Sequence, residues 1–342
     1  MVVPMIKHRE LFRFRSRVWL AACVFAVFAA LNAGRVYADL TITPTFTANF
    51  VADFGANAVA AENSWIAAAN TYTRTFNDPI HINITVDAVT GTSVFGQSNT
   101  FLTSVPYSTL QGAVVADAKS ADDFTSIGAG GSVTAADPVS GTHTWWVTTA
   151  QAKALGLIVD NLNNDGSTTF GAGNPFTFSG PIAAGTYDFQ GVALHEISEV
   201  MGRLGISGGT IGSFANSYSL IDEFAYTGAG TRNLKSGAGV NFSIDNGTTL
   251  LKLYNDTTSN HLDTRDWAPS SQGGTGAPDA FNQFSGSGVV NPLSPVDVRE
   301  MDVIGYDLTP VPEPSRPIAL LGLSLMGLTV LGFLRLRRFV TA

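Results

Sequence analysis

The chain has 342 residues and a formal net charge of −8, but residues 39–314 alone carry 26 Asp and Glu against 9 Lys and Arg. So acidic a segment excludes a nucleic-acid-binding function, because surfaces that bind phosphate are basic. The only cysteine, Cys23, lies near the N-terminus. The chain beyond it therefore has no disulfides and must rely on a hydrophobic core, which about 275 residues can form.

Residues 1–38 are predicted to be a secretory signal peptide. Five positive charges between Lys7 and Arg17 precede an apolar run over residues 18–31, and small or tolerated residues lead up to Ala38. This order of basic, apolar and cleavable parts is typical of a signal peptide. An uncleaved anchor is the alternative, but the apolar run is short for a membrane span, so we expect cleavage after Ala38.

The next part of the chain is predicted to alternate between strands and helices. Apolar periodicity predicts strands over residues 40–50 and 80–86, and helices over residues 55–76 and 108–121. Val59, Ile66, Ala69 and Phe76 are expected on the packed face of the first helix, and the acidic pair at 122–123 is expected to end the second. His81 lies on the polar face of its strand, where we expect a solvated side chain and not a metal ligand.

Residues 160–166, DNLNNDG, present oxygen-bearing side chains at alternating positions, and such a run can bind calcium. The segment lacks the twelve-residue loop with a terminal Glu, so we favour a polar turn. A strand followed by a short helix is predicted over residues 143–155, and a further strand over residues 167–170. His143, at the start of the first of these, is expected to be solvated.

Residues 191–205, GVALHEISEVMGRLG, hold the pattern most indicative of function. At 100° per residue the apolar side chains form one stripe of a helix, and His195 and Glu199 lie together on the other face. Side chains four residues apart can converge on one metal ion. Glu196 stands where a carboxylate accepts a proton from an activated water, as in H-E-x-x-H metalloproteases, with Glu199 in place of the second His. The alternative is a solvated helix face.

Three segments carry a resemblance to a known family: TYDFQGVALHEISEVMGR, SLIDEFAYTGAGTR and VREMDVIGYDL. They resemble segments of secreted bacterial zincin-type metalloproteases, and the likeness covers about residues 43–308. Members often have HEIGH where this chain has HEISE, so that Ser198 and Glu199 replace a Gly and a His. A carboxylate is an acceptable zinc ligand, but its charge is expected to weaken the Lewis acidity of the metal.

Many members of that family also end in a PEP-CTERM sorting tail, and residues 310–342 resemble one. The letters VPEP at 311–314 precede an uncharged apolar run over residues 318–334 and then three arginines. The run is just long enough to cross a bilayer, and the arginines would stay in the cytoplasm. The resemblance implies processing by an exosortase in a Gram-negative bacterium that makes exopolysaccharide. A plain tail anchor is the alternative.

A catalytic zinc ion held by the His and Glu of the motif needs a third protein ligand. Gly205 stands where some families place that ligand, so it must come from another segment. Residues 217–226 are predicted to form a helix with Asp222 and Glu223 exposed. Zincins whose third ligand comes from a following helix make Asp222 the first candidate, with Glu223 and His261 next.

The remaining segments complete the domain. We predict a hairpin over residues 241–254 and a closing helix over residues 295–306. In the polar stretch between them, Asp263 and Asp266 either bind a cation or shape a loop. Met301 in the closing helix is expected to be a buried core residue.

By analogy with zincin folds, the strand before the active-site helix is expected at the edge of its sheet. An edge strand can pair with an extended peptide through backbone hydrogen bonds. Thr168, Thr169 and Phe170 are therefore the predicted substrate-binding residues.

We expect three parts: a signal peptide over residues 1–38, one α+β domain over residues 39–309, and a sorting tail over residues 310–342. In the domain, a zincin-like active-site helix packs on a mixed sheet. The resemblance implies an exported zinc endopeptidase that cleaves peptides or proteins at the cell surface or in the extracellular matrix. Its C-terminal helix would hold it in the inner membrane until processing. The alternative is a surface or biofilm-matrix protein on the same scaffold, with a decayed protease site.

Overall fold

The computed structural model describes residues 39–256 and 264–310. The predicted signal peptide, the predicted sorting tail, and the candidate residues His261 and Asp263 lie outside the described residues. Within the described part, helices are mixed with several β-sheets, which confirms the α+β class. None of the helices in these two ranges is long and apolar enough to cross a membrane.

The elements of the described part are as follows. The α-helices are α1 (Ala48–Phe54), α2 (Ala58–Thr75), α3 (Tyr107–Asp117), α4 (Ala121–Ile127), α5 (Thr149–Ala154), α6 (Phe189–Val200) and α7 (Pro295–Val303). The strands are β1 (Thr41–Phe46), β2 (His81–Val89), β3 (Gly96–Thr100), β4 (Leu102–Val105), β5 (Thr144–Thr148), β6 (Asn164–Gly171), β7 (Phe176–Thr177), β8 (Tyr187–Asp188), β9 (Gly209–Ile211), β10 (Phe214–Ser219), β11 (Ala225–Gly228), β12 (Thr231–Arg232), β13 (Asn241–Phe242) and β14 (Lys252–Leu253). Short 3-10 helices cover Gly55–Asn57, Leu220–Phe224 and Ser270–Gln272.

The first sheet has the strand order β1-β2-β6-β3. The first three strands run parallel, and β3 runs antiparallel to β6 at the edge. Along β2 every second side chain is buried, including Ile82, Ile84 and Val86, as the alternating sequence predicts. Parallel neighbours need a crossover connection, and α1 and α2 form the one between β1 and β2.

The chain turns into a helix soon after β1. The Thr47 side chain accepts a hydrogen bond from the Phe50 N–H (3.1 Å) and so caps α1. The strand ends at Phe46, so the strand predicted over residues 40–50 is too long. The alternation of apolar and polar residues gave no sign of the helix cap at Thr47.

Helix α2 is present as predicted, but only part of its predicted inner face is buried. Ala69 and Phe76 are buried as expected, whereas Val59 is 68% exposed and Ile66 is 39% exposed. Trp65 and Tyr72 are fully buried in addition. Trp65 Nε1 donates a hydrogen bond to Thr168 Oγ1 on β6 (3.1 Å). Aromatic side chains whose polar atoms find partners bury more surface than the aliphatic ones, and they decide which face packs inward.

The helix predicted over residues 108–121 is α3, which ends at Asp117, and a second helix, α4, begins at Ala121. Ser120 and Asp123 form a capping box: the Asp123 N–H donates to Ser120 Oγ (3.0 Å), and the Ser120 N–H donates to Asp123 Oδ2 (2.8 Å). The acidic pair at 122–123 therefore begins a helix instead of ending one, because carboxylates stabilise the N-terminal turn of a helix.

The second and third sheets have the orders β4-β5-β10-β9 and β12-β11-β13-β14. The segment predicted as a helix over residues 217–226 belongs to both, as the end of β10, the 3-10 helix Leu220–Phe224 and the start of β11. Asp222 and Glu223, predicted to be exposed, are fully buried. The prediction fails because distant segments supply the partners of these carboxylates, and local periodicity cannot show them.

Other predictions for the domain are confirmed. β13 and β14 pair antiparallel as the predicted hairpin, and β5 leads into α5. α7 closes the described chain, with Met301 and Ile304 fully buried.

Candidate metal centre

Helix α6 carries the candidate ligands and is fixed by buried contacts. Tyrosine hydroxyls donate to backbone carbonyls at two points, from Tyr72 to Leu194 (2.6 Å) and from Tyr306 to Met201 (2.6 Å). The helix ends before Gly202, whose φ of +115° lies in the region that favours glycine. The predicted continuation of the helix to residue 205 is therefore wrong.

His195, Glu199 and Asp266 form a group that could hold a metal ion, and both carboxylates are buried. Their candidate ligand atoms all lie within 4.8 Å of one another. His195 Nε2 is 3.3 Å from Glu199 Oε1 and 3.4 Å from Asp266 Oδ1. The two side chains of α6 converge as the sequence predicts, and no other such group of three occurs among the described residues.

The predicted third ligand, Asp222, has other partners. Its carboxylate accepts hydrogen bonds from the N–H groups of Ser207 (2.8 Å) and Ser219 (2.9 Å) and pairs with Arg265 (2.8 Å). The candidate third ligand is therefore Asp266 and not Asp222. Asp222 contacts the segment that carries Asp266 only through Arg265, the residue that precedes Asp266 in the chain.

Glu223, the next candidate, also lies outside the group. Its Oε1 is 3.4 Å from Arg232 Nη1, and burial raises the pKa of the Glu223 carboxyl to about 7. The buried ion pair identifies this carboxylate as a structural group of the second and third sheets.

Gly205 lets the segment that supplies Asp266 reach the end of α6. A Cβ at Gly205 would lie 2.3 Å from Thr264 Oγ1 and 2.4 Å from Arg265 Cγ. A ligand side chain at this position, as in families with a contiguous third ligand, would collide with that segment. The two routes to a third ligand therefore exclude each other in this fold.

The imidazole of His195 is held through its second nitrogen. His195 Nδ1 is 2.9 Å from the backbone oxygen of Ala280, and donation there makes Nε2 the nitrogen available to a metal. The next residue, Phe281, accepts a hydrogen bond from the Trp267 N–H (2.9 Å). This backbone pairing positions both Asp266 and the carbonyl that orients His195.

Burial and charge set the protonation of these side chains. Burial disfavours a charged imidazole, but the carboxylates of Asp266 and Glu199 outweigh it and raise the pKa of His195 to about 10. Burial raises the pKa of Glu196 well above its usual value, and the charge of Glu199 raises it further. An incoming metal ion must therefore displace a proton from His195.

The group faces a cleft of about 810 Å³ between α6, strand β3 and residues 282–285. Strand β3 touches two carboxylates of α6. Ser98 Oγ donates a hydrogen bond to Glu199 Oε2 (2.6 Å). Gly96 lies against the other carboxylate, since a Cβ there would be 2.3 Å from Glu196 Oε1.

The predicted substrate-binding strand is not at the edge of its sheet. Thr168, Thr169 and Phe170 lie on β6, which pairs with β2 on one side and β3 on the other. Thr168 and Phe170 are fully buried. The edge strand along the cleft is β3, because the chain from residue 96 to residue 100 adds an antiparallel strand outside β6.

In the segment over residues 160–166, where the sequence favours a polar turn over a calcium site, both carboxylates pair with side chains of the domain. Asp160 Oδ2 is 2.7 Å from His81 Nδ1, and Asp165 pairs with the buried ammonium of Lys153 (2.7 Å). His143 Nε2 is 2.8 Å from an oxygen of Asp137, away from the group on α6. These two histidines are therefore not members of the metal-binding group.

Two residues of the site were not predicted. Arg203 Nη1 is 2.8 Å from Asp266 Oδ1, and its Nη2 is 3.6 Å from Glu199 Oε1. Its position four residues after Glu199 was an available signal for this contact. Nothing in the local sequence marks Ser98, which reaches Glu199 only through the packing of β3 on α6.

The donor set of one imidazole nitrogen and two carboxylate oxygens suits a divalent metal ion. The hydrogen bond to His195 Nδ1 and the opening to the cleft agree with that use. No protein-family model, curated protein or solved structure matches this chain. The function must therefore be argued from the residues of the site.

Proposed function

We propose that this protein is an exported zinc-dependent endopeptidase of zincin type. The observation that carries the proposal is the convergence of His195, Glu199 and Asp266 beside Glu196 in an open cleft. Zinc is the proposed metal because three protein ligands with one position left open are its usual catalytic arrangement.

His195, Glu199 and Asp266 would hold the zinc ion, which would supply Lewis acidity to a peptide carbonyl and to the attacking water. Glu196 is the proposed proton carrier, taking a proton from the attacking water and passing it to the leaving amine. The backbone of Gly96 lies against its carboxylate and limits where it can move.

The proposed substrate is an extended peptide segment that pairs with β3. This strand is the last of its sheet and borders the cleft, so its outer edge offers backbone donors and acceptors. The rings of Phe95, Tyr187 and Phe284 line the same cleft and suit apolar side chains of the substrate.

Export and sorting form part of the proposal and rest on the two ends of the sequence. The signal peptide would direct the chain across the inner membrane, and the helix of the sorting tail would hold it there until an exosortase processes it. The processed protein would act at the cell surface or in the extracellular matrix of a Gram-negative bacterium. Detection of a shortened chain in the medium that lacks the VPEP segment would support this route.

A surface or biofilm-matrix protein with a decayed protease site is the second candidate. One observation favours it: the buried guanidinium of Arg203 contacts both Glu199 and Asp266 and offsets part of their charge without any metal ion. A buried cluster of paired charges of this kind is compatible with a purely structural role, as in a decayed site.

Metal stoichiometry separates the two candidates. We expect about one zinc ion per chain in the purified full-length protein, and none in a His195→Ala variant. His143→Ala is the matched control, because that histidine is bound to Asp137 away from the group, and it should keep the metal. Absence of metal from all three proteins after exposure to zinc would contradict the proposal and favour the matrix protein.

Glu196→Gln tests the mechanism. This variant should keep its zinc and lose hydrolysis of an unstructured protein substrate such as casein, because the amide cannot carry the proton. Glu62→Gln on α2 is the control and should remain active, since Glu62 is not among the residues that line the cleft. Full activity of Glu196→Gln would show that the proposed mechanism is wrong.

A further inference from the structure

Arg203 is a buried cation that contacts the ligand group. Its guanidinium is fully buried and packs over the ring of Phe281, 4.3 Å from the ring centre. It reaches Asp266 Oδ1 (2.8 Å) and Glu199 Oε1 (3.6 Å), the same two oxygens that face Nε2 of His195. The two candidate carboxylate ligands are therefore shared between an imidazole and a guanidinium.

The same arginine contacts the neighbouring serine. Arg203 Nε donates a hydrogen bond to Ser198 Oγ (2.7 Å), and that hydroxyl donates to the backbone oxygen of His195 (2.6 Å). Ser198 and Glu199 are the two positions at which HEISE differs from HEIGH. One side chain thus contacts both of the residues that set this motif apart.

The charges of the site suggest what the contact does. Glu199 and Asp266 bring two negative charges to the ligand group, whereas a neutral imidazole at position 199 would leave one. Arg203 adds one positive charge, which it keeps at every pH a folded protein tolerates. Glu199 and Arg203 together therefore carry the same net charge as a neutral histidine.

We infer that Arg203 is the counter-charge of the metal centre, and that Glu199 and Arg203 act as one unit in place of a second histidine. The inference rests on the proposed metal site. It adds that the loss of Lewis acidity expected from an anionic ligand is offset by the adjacent guanidinium. Glu199→His alone therefore does not give a working H-E-x-x-H metal site. The new imidazole lies against the guanidinium of Arg203, which has lost its contact with the Glu199 carboxylate.

The zinc dissociation constant tests this in four full-length proteins: the wild type, Glu199→His, Arg203→Met and the double variant. Zinc itself is the probe, in competition with a chromophoric chelator. Glu199→His should bind zinc at least about tenfold more weakly than the wild type, because ligands and guanidinium then sum to zero charge. The double variant should recover to within about threefold of the wild type, and Arg203→Met should bind at least as tightly as the wild type.

Arg203→Lys is the control that separates charge from geometry. It keeps the positive charge and loses the planar fork, so its zinc affinity should stay near that of the wild type. Melting temperatures of the metal-free proteins are recorded beside the affinities. If Arg203→Met alone does not fold, recovery of zinc affinity in the double variant relative to Glu199→His still decides the matter.

Two results would overturn the inference. Weaker zinc binding in both Arg203→Met and the double variant, with Glu199→His unaffected, would show that Arg203 only holds the ligands in place. The proposed function would survive that result. A wild-type protein that takes up no zinc would overturn both.

Discussion

Gly96→Ala is expected to displace the candidate catalytic carboxylate without removing a ligand. The backbone of β3 passes so close to α6 that an added Cβ would lie 2.3 Å from Glu196 Oε1 and 2.7 Å from Val192 Cγ1. Contacts under 3.0 Å are essentially never seen for real Cβ atoms, so the neighbours must move. Glu196 is the neighbour whose position bears on the proposed chemistry.

The size of the effect follows from these distances. The carboxylate oxygen must withdraw by about 1 Å to reach ordinary contact, and a misplacement of that size costs about a hundredfold in rate. Val192 is buried, so the added methyl also overpacks the core, at about 1–3 kcal/mol of stability. We expect kcat/KM to fall about a hundredfold while zinc content stays at the wild-type level.

The assay is hydrolysis of a quenched fluorescent peptide library, with zinc content and melting temperature measured on the same samples. Gly228→Ala is the matched control, because that strand glycine has nothing within 4 Å of an added Cβ. Wild-type rates in Gly96→Ala would refute the reasoning that β3 holds Glu196 in place. Loss of zinc along with activity would also refute it, since the damage would then lie in the ligands.

Three further predictions concern the ligand set and the buried charges. Removal of a residue that only supports the ligands, as in Asp222→Asn, is expected to weaken zinc binding about 10–100-fold. Asp266→Asn should weaken it by more, and chelator competition measures both variants. Burial, with the charge of a nearby aspartate, raises the pKa of Asp78 to about 8 from an ordinary value near 3.8. The proton that Asp78 holds in the folded state stabilises the protein at low pH, and this contribution is lost as pH rises through about 8. Asp78→Asn should therefore raise the melting temperature more at pH 9 than at pH 5. Lys153→Met should cost about 3–5 kcal/mol in denaturant unfolding, because it leaves the buried carboxylate of Asp165 without its cation.

Each of these has an outcome that would contradict it. Equal zinc affinity in the Asp266 and Asp222 variants would remove Asp266 from the ligand set. A stability gain in Asp78→Asn that did not change with pH would mean that the Asp78 carboxyl titrates normally in the folded protein. For Lys153→Met, the control is the double variant with Asp165→Asn, which should recover much of the lost stability because no buried charge is left unpaired.

Local patterns were enough to find one half of the site. His195, Glu196 and Glu199 lie on one helix, where a spacing of four residues brings side chains together whatever the rest of the fold does. The alternation of β2 and the closing helix with Met301 were predictable for the same reason, because the period of apolar residues is a property of a short segment.

The other half of the site depends on contacts between distant segments. Asp266 lies 63 residues beyond Arg203 and reaches it only because Gly205 admits the intervening backbone. Asp222 was the first candidate in the sequence, but its carboxylate pairs with Arg265 instead of joining the ligand group.

The sequence by itself determined the chemistry available to this protein: a helical His and Glu pair, a neighbouring Glu, and an acidic segment between two ends that are predicted to be targeting signals. Tertiary structure alone decided which carboxylate completes the group, which strand forms the edge of the cleft, and which cation balances the charge. The physical reason is that helix spacing is set by local backbone geometry, whereas sheet order and the pairing of buried charges are settled when distant segments pack together.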